Sequence, residues 1–155
     1  MEYKYQGKPN KIRVWVDTDH AGCKVARKST SGGIIMIGGH MIKGWSITQG
    51  VIALSSGEAE YYRIVKGSSV GMGIQSVISD LGIHYKLQVL TDSSAAKGIA
   101  SRRGLGKVRH IEVNQLWVQE KVADASVDLI KISGEDNLAD SMTKHVGRDI
   151  LEKHL

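Results

Sequence analysis

Apolar and polar positions alternate near the start of the chain in the pattern of a strand that is buried on one face. Isoleucine and two valines take every second position of residues 12–17, and this period of two predicts a first strand. Residues 33–37 and 41–47 are rich in isoleucine and predict two further strands. The glycine pair between them predicts a hairpin turn, while the polar stretch 19–31 predicts a loop.

The spacing of apolar residues changes to that of a long helix over residues 55–81. Ser55 and Glu58 have the spacing of a capping box, in which the serine hydroxyl accepts from helix amides and the glutamate reaches back. Positions three and four apart then form one stripe, whose two glycines would allow close approach to a sheet. The members of this stripe are Ile64, Gly67, Gly71, Ile74 and Ile78.

The rest of the chain alternates between strand and helix patterns. A strand is predicted at 87–91, a short helix at 93–100, a basic glycine-rich loop at 101–107, a helix at 111–122, a strand at 127–132 and a last helix at 136–146. The order β-β-β-α-β-α-α-β-α joins strands one, four and five through helices, so these three should be parallel, and the hairpin should add antiparallel strands at one edge. We therefore predict an α/β fold with a mixed five-stranded sheet and helices packed on it.

Length and composition bound the class of protein. The chain has 155 residues without a repeat or linker, so we expect a single domain over 1–155, with a core at 11–146, a flexible N-terminus at 1–10 and a C-terminal extension at 147–155. The single cysteine excludes an intrachain disulfide and a cysteine-based zinc site. Neither a membrane-spanning apolar run nor a signal peptide is evident, and we expect a monomeric intracellular protein, cytoplasmic or nuclear.

The net charge of +5 comes from basic residues that are clustered along the chain. Several acidic residues lie instead beside predicted strand ends and helix starts. Basic surfaces around an acidic pocket suit an enzyme that holds a phosphate backbone and cuts it with metal ions, although ordinary solvated loops would give the same charges. The clusters are Lys24, Arg27 and Lys28 in one segment and Arg102, Arg103, Lys107, Arg109 and His110 in another.

Two aspartates follow predicted strands that should be parallel neighbours. Asp17 ends the first strand and Asp92 follows the fourth, and ligands gather at the carboxyl ends of parallel strands. Asp19 would point to the same side as Asp17, but Asp17 directly follows the apolar run and should be more buried. Asp92 has capping of the next helix as its alternative role. The pair predicts an acidic site at one end of the sheet.

The long helix and the last helix each supply a further candidate carboxylate. Glu58 and Glu60 are about 200° apart on a helix, so only one of them can face the sheet. Glu60 extends the apolar stripe backwards and is the candidate catalytic residue, whereas Glu58 belongs to the capping box. Asp140 lies in the opening turns of the last helix, where interaction with the helix dipole is its alternative role. Clustered carboxylates repel one another, and coordination of Mg²⁺ or Mn²⁺ is the simplest reason for a fold to tolerate them.

Five ordered segments carry a resemblance to one known family. Together they resemble the ribonuclease H domain at the end of a copia-type retrotransposon polyprotein, over about residues 11–146. Five motifs with compatible spacing are far more specific than one short pattern. The segments are VDTDHAGCKVARKSTSGG (16–33), ALSSGEAEYYRI (53–64), LTDSSAA (90–96), RHIEVNQLWVQEKV (109–122) and NLADSMTKHV (137–146).

The resemblance implies hydrolysis of the RNA strand of an RNA–DNA hybrid by two Mg²⁺ ions, with Mn²⁺ able to substitute, and products that end in 5′-phosphate and 3′-hydroxyl groups. The matching catalytic and metal-binding residues are Asp17, Glu60, Asp92 and Asp140. The resemblance also implies that Asp17 would bridge both ions, with Asp140 on the side of the attacking water and the other two carboxylates opposite. An upstream reverse transcriptase domain of the same polyprotein is the implied protein partner.

The same resemblance implies contacts between the chain and the hybrid. Serine hydroxyls or amides would touch the RNA 2′-hydroxyl or the backbone, and a basic helix start would hold a DNA phosphate. The serines could equally be helix N-caps, and the arginine could be a solvated cation. The six implied contact residues are Ser55, Ser56, Ser93, Ser94, Arg109 and His110.

One segment departs from cellular ribonucleases H. Those enzymes carry a histidine in the loop before the last aspartate, whereas residues 132–137 here contain none, and His145 is expected to face elsewhere. The departure bears on the rate of catalysis. The main alternative function is a catalytically silent nucleic-acid-binding or tether module of a retroelement polyprotein, and a third is a nuclease for duplex RNA or branched DNA. The presence of all four carboxylates argues against the silent module, whereas the fold alone does not choose among nuclease substrates.

Overall fold

The chain folds around one sheet whose strands run in the order β3-β2-β1-β4-β5. The computed structural model describes residues 3–20, 28–106, 111 and 113–144. The strands are β1 (Lys11–Asp19), β2 (Thr30–Ile37), β3 (His40–Thr48), β4 (Lys86–Thr91) and β5 (Asp128–Lys131). The helices are α1 (Ser56–Asp80), α2 (Ser94–Ala100) and α3 (Trp117–Ala123), and 3₁₀ turns lie at Val113–Gln115, Gly134–Asp136 and Leu138–Met142.

The central strand, β1, takes part in both kinds of pairing. It pairs antiparallel with β2 and parallel with β4, and β4 pairs parallel with β5. With the β2–β3 hairpin at one edge, this confirms the predicted mixed five-stranded sheet. β2 begins at Thr30, earlier than predicted, because Thr30 pairs with Asp19 at the far end of β1. Backbone pairing needs no apolar side chains, so the polar residues there gave no sign of it.

The start of α1 is fixed by the predicted capping box. Ser55 is the N-cap, and its hydroxyl accepts a hydrogen bond from the amide of Glu58. The Glu58 carboxylate reaches back to accept from the amide of Leu54 at 2.8 Å and also accepts from the Tyr62 hydroxyl. Glu58 is thereby a buried structural residue, as its position in the motif predicts.

The two glycines in the stripe bring α1 close to the sheet. A Cβ at Gly67 would lie 2.5 Å from Val16 Cγ1, and one at Gly71 would lie 2.7 Å from Leu87 Cδ1. Either distance is well inside van der Waals contact. The helix therefore packs on β1 and β4 at a separation that side chains at these positions would not permit.

The predicted helices after α2 are only partly confirmed. The segment predicted as a helix over 111–122 begins with a 3₁₀ turn, and α3 starts later, at a residue whose predecessor supplies no side-chain cap. The helix predicted over 136–146 is wrong for its described part, which forms two short 3₁₀ turns. Asn137 separates these turns with an extended backbone, because its buried side chain is anchored to the carbonyl of Val16.

Some predicted features lie outside the described residues. They include the proposed phosphate contacts Arg109 and His110, as well as His145 and the extension 147–155. Among the helices that the structure describes, none has both the length and the apolar character needed to cross a membrane.

Candidate active site

The parallel pair β1 and β4 brings two aspartates to the same end of the sheet. Their pairing register runs as far as Trp15 opposite Leu90, and Asp17 and Asp92 each lie two residues further along. Residues two apart on a strand share a face, so the two carboxylates meet where the register predicts. Asp17 is 2% exposed and Asp92 is half-buried.

The third carboxylate comes from the 3₁₀ turn at Leu138–Met142. The Asn137 side-chain amide donates to the Val16 carbonyl at 3.1 Å, and its oxygen caps the turn by accepting from the Ala139 amide. Ala139 is fully buried in a small apolar cluster with Trp15 and Leu90. Asp140 follows it directly, so this anchoring places its carboxylate beside the strand ends.

Because Gly32 has no side chain, residues 142 and 143 can pack close to the sheet beside Asp17. Gly32 is the register partner of Asp17 on β2, and a Cβ there would lie 2.7 Å from both Met142 Cβ and Thr143 Cγ2. A larger residue at position 32 would push away the segment that carries Asp140.

The three aspartates form an oxygen-rich cluster with the chemistry of a divalent cation site. Asp17, Asp92 and Asp140 each offer a carboxylate oxygen, and these oxygens all lie within 4.8 Å of one another. Carboxylate oxygens are preferred ligands of Mg²⁺ and Mn²⁺, so the donor set fits the metal that the family resemblance implies.

A buried arginine lies among these carboxylates. From α1, Arg63 places Nη1 2.8 Å from Asp17 Oδ1 and Nη2 2.7 Å from Asp92 Oδ1. Nη2 also donates to the Thr91 hydroxyl at 2.9 Å. The Arg63 side chain is 1% exposed, so both ion pairs are shielded from solvent on the arginine side.

Two residues just after Asp140 complete the surroundings of Asp17. The Thr143 hydroxyl donates to Asp17 Oδ2, and Lys144 Nζ lies 3.5 Å from Asp17 Oδ2 and from Asp140 Oδ1. Burial opposes ionisation of Asp17, but the bond from Thr143 and the charges of Arg63 and Lys144 outweigh it, so the pKa of Asp17 lies below its ordinary value. Burial, and then the negative charge of Asp17, raise the pKa of Asp140.

Comparison with known proteins relates the chain to retroelement polyproteins. No family model matches the chain. The retrovirus-related Pol polyprotein from transposon TNT 1-94 of Nicotiana tabacum is 32% identical over 143 residues, 91% of this chain and 11% of that protein. The Pol polyprotein from transposon RE1 of Arabidopsis thaliana is 28% identical over 146 residues, 92% of this chain and 10% of that protein. The chain thus spans about a tenth of the curated relatives it matches.

Solved structures with the same fold are ribonucleases H. The N-terminal RNase H domain of a Mycobacterium tuberculosis protein, solved as a fusion with maltose-binding protein, superposes with a TM-score of 0.59 at 18% identity, covering 94% of this chain and 96% of that one. This chain has the ribonuclease H fold and is similar in sequence to part of retrotransposon Pol polyproteins. A second neighbour is LC11-RNase H1 in complex with an RNA/DNA hybrid, with a TM-score of 0.55 at 17% identity and coverage of 85% and 93%.

In this ribonuclease H fold, Glu60 lies beside the three-aspartate cluster rather than within it. Its carboxylate accepts a hydrogen bond from the hydroxyl of Ser93, the residue that follows Asp92. Its metal-binding role stays a prediction. Asp19, the rival to Asp17, is more exposed and is not part of the cluster, so the preference for Asp17 as the buried carboxylate holds.

The four serines predicted as substrate contacts fall into two groups. Ser55 and Ser93 are the N-caps of α1 and α2, and each hydroxyl accepts from an amide of the first turn. Asp92 is therefore not the cap of α2. Ser56 and Ser94 are exposed at the starts of the same helices.

Arg63 is the residue of this site that the sequence analysis did not single out. It lies three residues after Glu60 and four before Gly67, so it occupies the helix face that the stripe assigns to the sheet. A charged residue on an otherwise apolar face was the available signal, because a buried charge requires a partner of opposite charge.

Proposed function

We propose that this domain is a metal-dependent endoribonuclease that hydrolyses the RNA strand of RNA–DNA hybrids. The observation that supports the proposal is the cluster of Asp17, Asp92 and Asp140 at the carboxyl ends of two parallel strands. A ribonuclease H fold with a solved hybrid complex among its neighbours favours this substrate. The relatives are Pol polyproteins, so an upstream reverse transcriptase domain is the proposed partner and reverse transcription the proposed setting.

The chain's own residues would hold the ions and keep them in place. Asp17, Asp92 and Asp140 are the proposed ligands, with Glu60 joining them from α1, and two Mg²⁺ or Mn²⁺ ions are the proposed cofactors. When bound, such ions supply an activated water and stabilise the departing 3′ oxygen. Asn137 positions Asp140 by fixing its turn to β1, and the low pKa of Asp17 keeps that carboxylate ionised and ready to coordinate.

The hybrid would lie across the carboxyl end of the sheet. Ser56 and Ser94 are exposed at helix starts, where amides and hydroxyls can face a sugar–phosphate backbone. Ser55 and Ser93 would contribute through the helix starts that they cap, and we also propose Arg109 and His110 as contacts to a DNA phosphate.

The direct test is cleavage of a labelled RNA–DNA hybrid in Mg²⁺ and in Mn²⁺, with wild type, Asp92→Asn and a surface control, Asp80→Asn. Asp92→Asn should reduce cleavage by about a hundredfold or more, beyond the loss typical of residues that only support metal ligands. Asp80 is exposed at the end of α1, so its variant should cut as wild type does.

The substrate panel separates the alternatives. Duplex RNA, duplex DNA and single strands should remain intact under conditions that cut the hybrid. Binding of the hybrid without cleavage in either ion would instead favour a silent binding module or a domain that needs the rest of its polyprotein. Cleavage of duplex RNA at the same rate would contradict the proposed specificity.

A further inference from the structure

The carboxylates of this site already hold a positive charge that belongs to the chain. Arg63 bridges Asp17 and Asp92 with one nitrogen on each, at 2.8 and 2.7 Å. These are two of the three aspartates whose oxygens lie close enough together to hold one cation. The guanidinium therefore uses oxygens that a divalent ion would need.

Both oxygens of Asp17 are engaged in this arrangement. Arg63 donates to Oδ1, and the Thr143 hydroxyl donates to Oδ2. Asp17 is also the most buried of the three aspartates. Each carboxylate oxygen has a second lone pair, so an ion that coordinates Asp17 would share its oxygens with these donors and lie close to the positive charge of Arg63.

Positive side chains of the chain already balance part of the negative charge of the three aspartates. The three aspartates carry three negative charges, and Arg63 and Lys144 return two positive ones in direct contact with them. Lys144 is about half exposed and can swing into solvent, whereas Arg63 is almost fully buried. Opposite charges at this separation in a poorly solvated site attract strongly, so the buried Arg63 stays paired with the two aspartates in the metal-free chain.

The acidic cluster dictates the position of the guanidinium. Arg63 Nε is buried without a hydrogen-bond partner among the described residues, although guanidinium groups usually use such donors. The contacts that hold the group are those of its two terminal nitrogens, to the two aspartates and Thr91. The Nε donor of Arg63 thus has no partner among the described residues, while Nη1 and Nη2 bridge the two carboxylates.

We propose that Arg63 is an internal counter-ion that competes with divalent ions for Asp17 and Asp92 and thereby sets the metal affinity of the site. This inference rests on the proposed metal-dependent function. The arginine stabilises the metal-free domain, and its positive charge opposes the binding of a cation at the same carboxylates. Removing the charge lowers the stability of the metal-free chain and raises its affinity for Mg²⁺ or Mn²⁺.

The test compares Mn²⁺ binding by calorimetry, without nucleic acid, in wild type, Arg63→Met, Arg63→Lys and Lys66→Met. Methionine keeps an unbranched chain without charge, and lysine keeps the charge but cannot bridge two carboxylates with a planar fork. Lys66 is exposed on the same helix, so its variant removes an equal charge away from the aspartates. Arg63→Met should bind Mn²⁺ about tenfold tighter or more, and Lys66→Met should differ from wild type by about twofold or less because exposed charges are screened.

Thermal unfolding supplies a second readout that needs no activity. Arg63→Met should melt below wild type in EDTA, and Mn²⁺ should raise its melting temperature more than it raises that of wild type, because at equal concentration a tighter-bound ligand stabilises the folded state more. Adding Asp92→Asn to Arg63→Met should abolish the gain in affinity. If it did not, the ion would be binding elsewhere and the proposal would be wrong.

The outcomes separate this inference from the proposed function. A folded Arg63→Met with unchanged or weaker Mn²⁺ binding overturns the counter-ion role, even if wild type cuts the hybrid. Tighter Mn²⁺ binding by Arg63→Met, in a domain whose wild type cuts no substrate, supports the counter-ion role and contradicts the proposed nuclease function. If Arg63→Met does not fold, the neutral variant Arg63→Gln takes its place, and an affinity equal to that of wild type overturns the inference.

Discussion

Replacing Gly67 with alanine tests whether the missing side chain sets the distance between α1 and the sheet. The added Cβ would lie 2.5 Å from Val16 Cγ1, about 1 Å or more inside an ordinary carbon–carbon contact. Val16 is fully buried and β-branched, so it cannot rotate away at little cost. Either α1 or β1 must therefore shift, one helical turn from Arg63 and one residue from Asp17.

Two effects of opposite sign determine the change in the free energy of unfolding. Alanine is favoured over glycine within a helix by about 1 kcal/mol, whereas overpacking a core costs about 1–3 kcal/mol. Gly67→Ala should therefore range from neutral to about 2 kcal/mol destabilising. Gly73 on the same helix is the matched control, because it is exposed and a Cβ there meets nothing within 4 Å. Gly73→Ala should stabilise by about 1 kcal/mol.

Urea unfolding followed by circular dichroism measures both variants under the same conditions. The difference between the variants, about 1–3 kcal/mol, isolates the packing cost, because helix propensity contributes equally to each. In a thermal scan, this difference corresponds to about 2–4 °C per kcal/mol for a chain of this size. Equal stabilisation by the two substitutions would refute the close approach of α1 to β1.

Three further substitutions test other parts of the structure. Burial raises the pKa of Tyr61 to about 12. Because the unfolded phenol ionises near pH 10, the free energy of unfolding should fall by up to about 1.4 kcal/mol per pH unit from pH 10 to 12. In alkaline denaturation curves Tyr61→Phe should flatten that loss, whereas Tyr5→Phe, at a fully exposed position, should not. Gly32→Ala should lower the melting temperature and weaken Mn²⁺ binding because it displaces the segment that carries Asp140. Gly50→Ala, where a Cβ meets nothing within 4 Å, should leave Mn²⁺ binding unchanged. Equal Mn²⁺ affinity in the two variants would argue against the role of Gly32. The lowered pKa of Asp17 means that the unfolded state takes up the proton first as pH falls, so its contribution is present above about pH 4 and lost below it; Asp17→Asn should show a shallower acid limb, and an unchanged limb would contradict the assignment.

The arrangement of the sheet followed from local patterns because each strand carries its own apolar signal. The alternation in 12–17 and the strand predicted at 87–91 located β1 and β4, and the helical connections between strands gave the parallel direction. The capping box located the start of α1 to within one residue. The last predicted helix failed because Asn137, a residue with no apolar pattern, makes a hydrogen bond to the distant Val16.

The acidic site was accessible from sequence for a similar reason. Asp17 and Asp92 could be placed because each follows a predicted strand. Asp140 was a candidate from the opening turns of the predicted last helix and from the family motif at 137–146, and the structure brings its carboxylate to the other two. The partners of those carboxylates were not accessible in this way. The bridge made by Arg63 depends on the rotation of α1 and on the length of one side chain, and the contact of Thr143 with Asp17 depends on a segment that is folded by tertiary contacts.

The anchoring of Asn137 to Val16 also has a consequence for the order in which the molecule is made. The two residues are 121 positions apart, and at about 5–20 residues per second a ribosome needs roughly 6–24 s to add that stretch. During this interval Ala139 is not yet present to pack on Trp15, and Thr143 is not yet present to donate a hydrogen bond to Asp17. A translation product that stops before Asn137 would therefore present an apolar patch to chaperones and proteases and would lack one carboxylate of the proposed metal site.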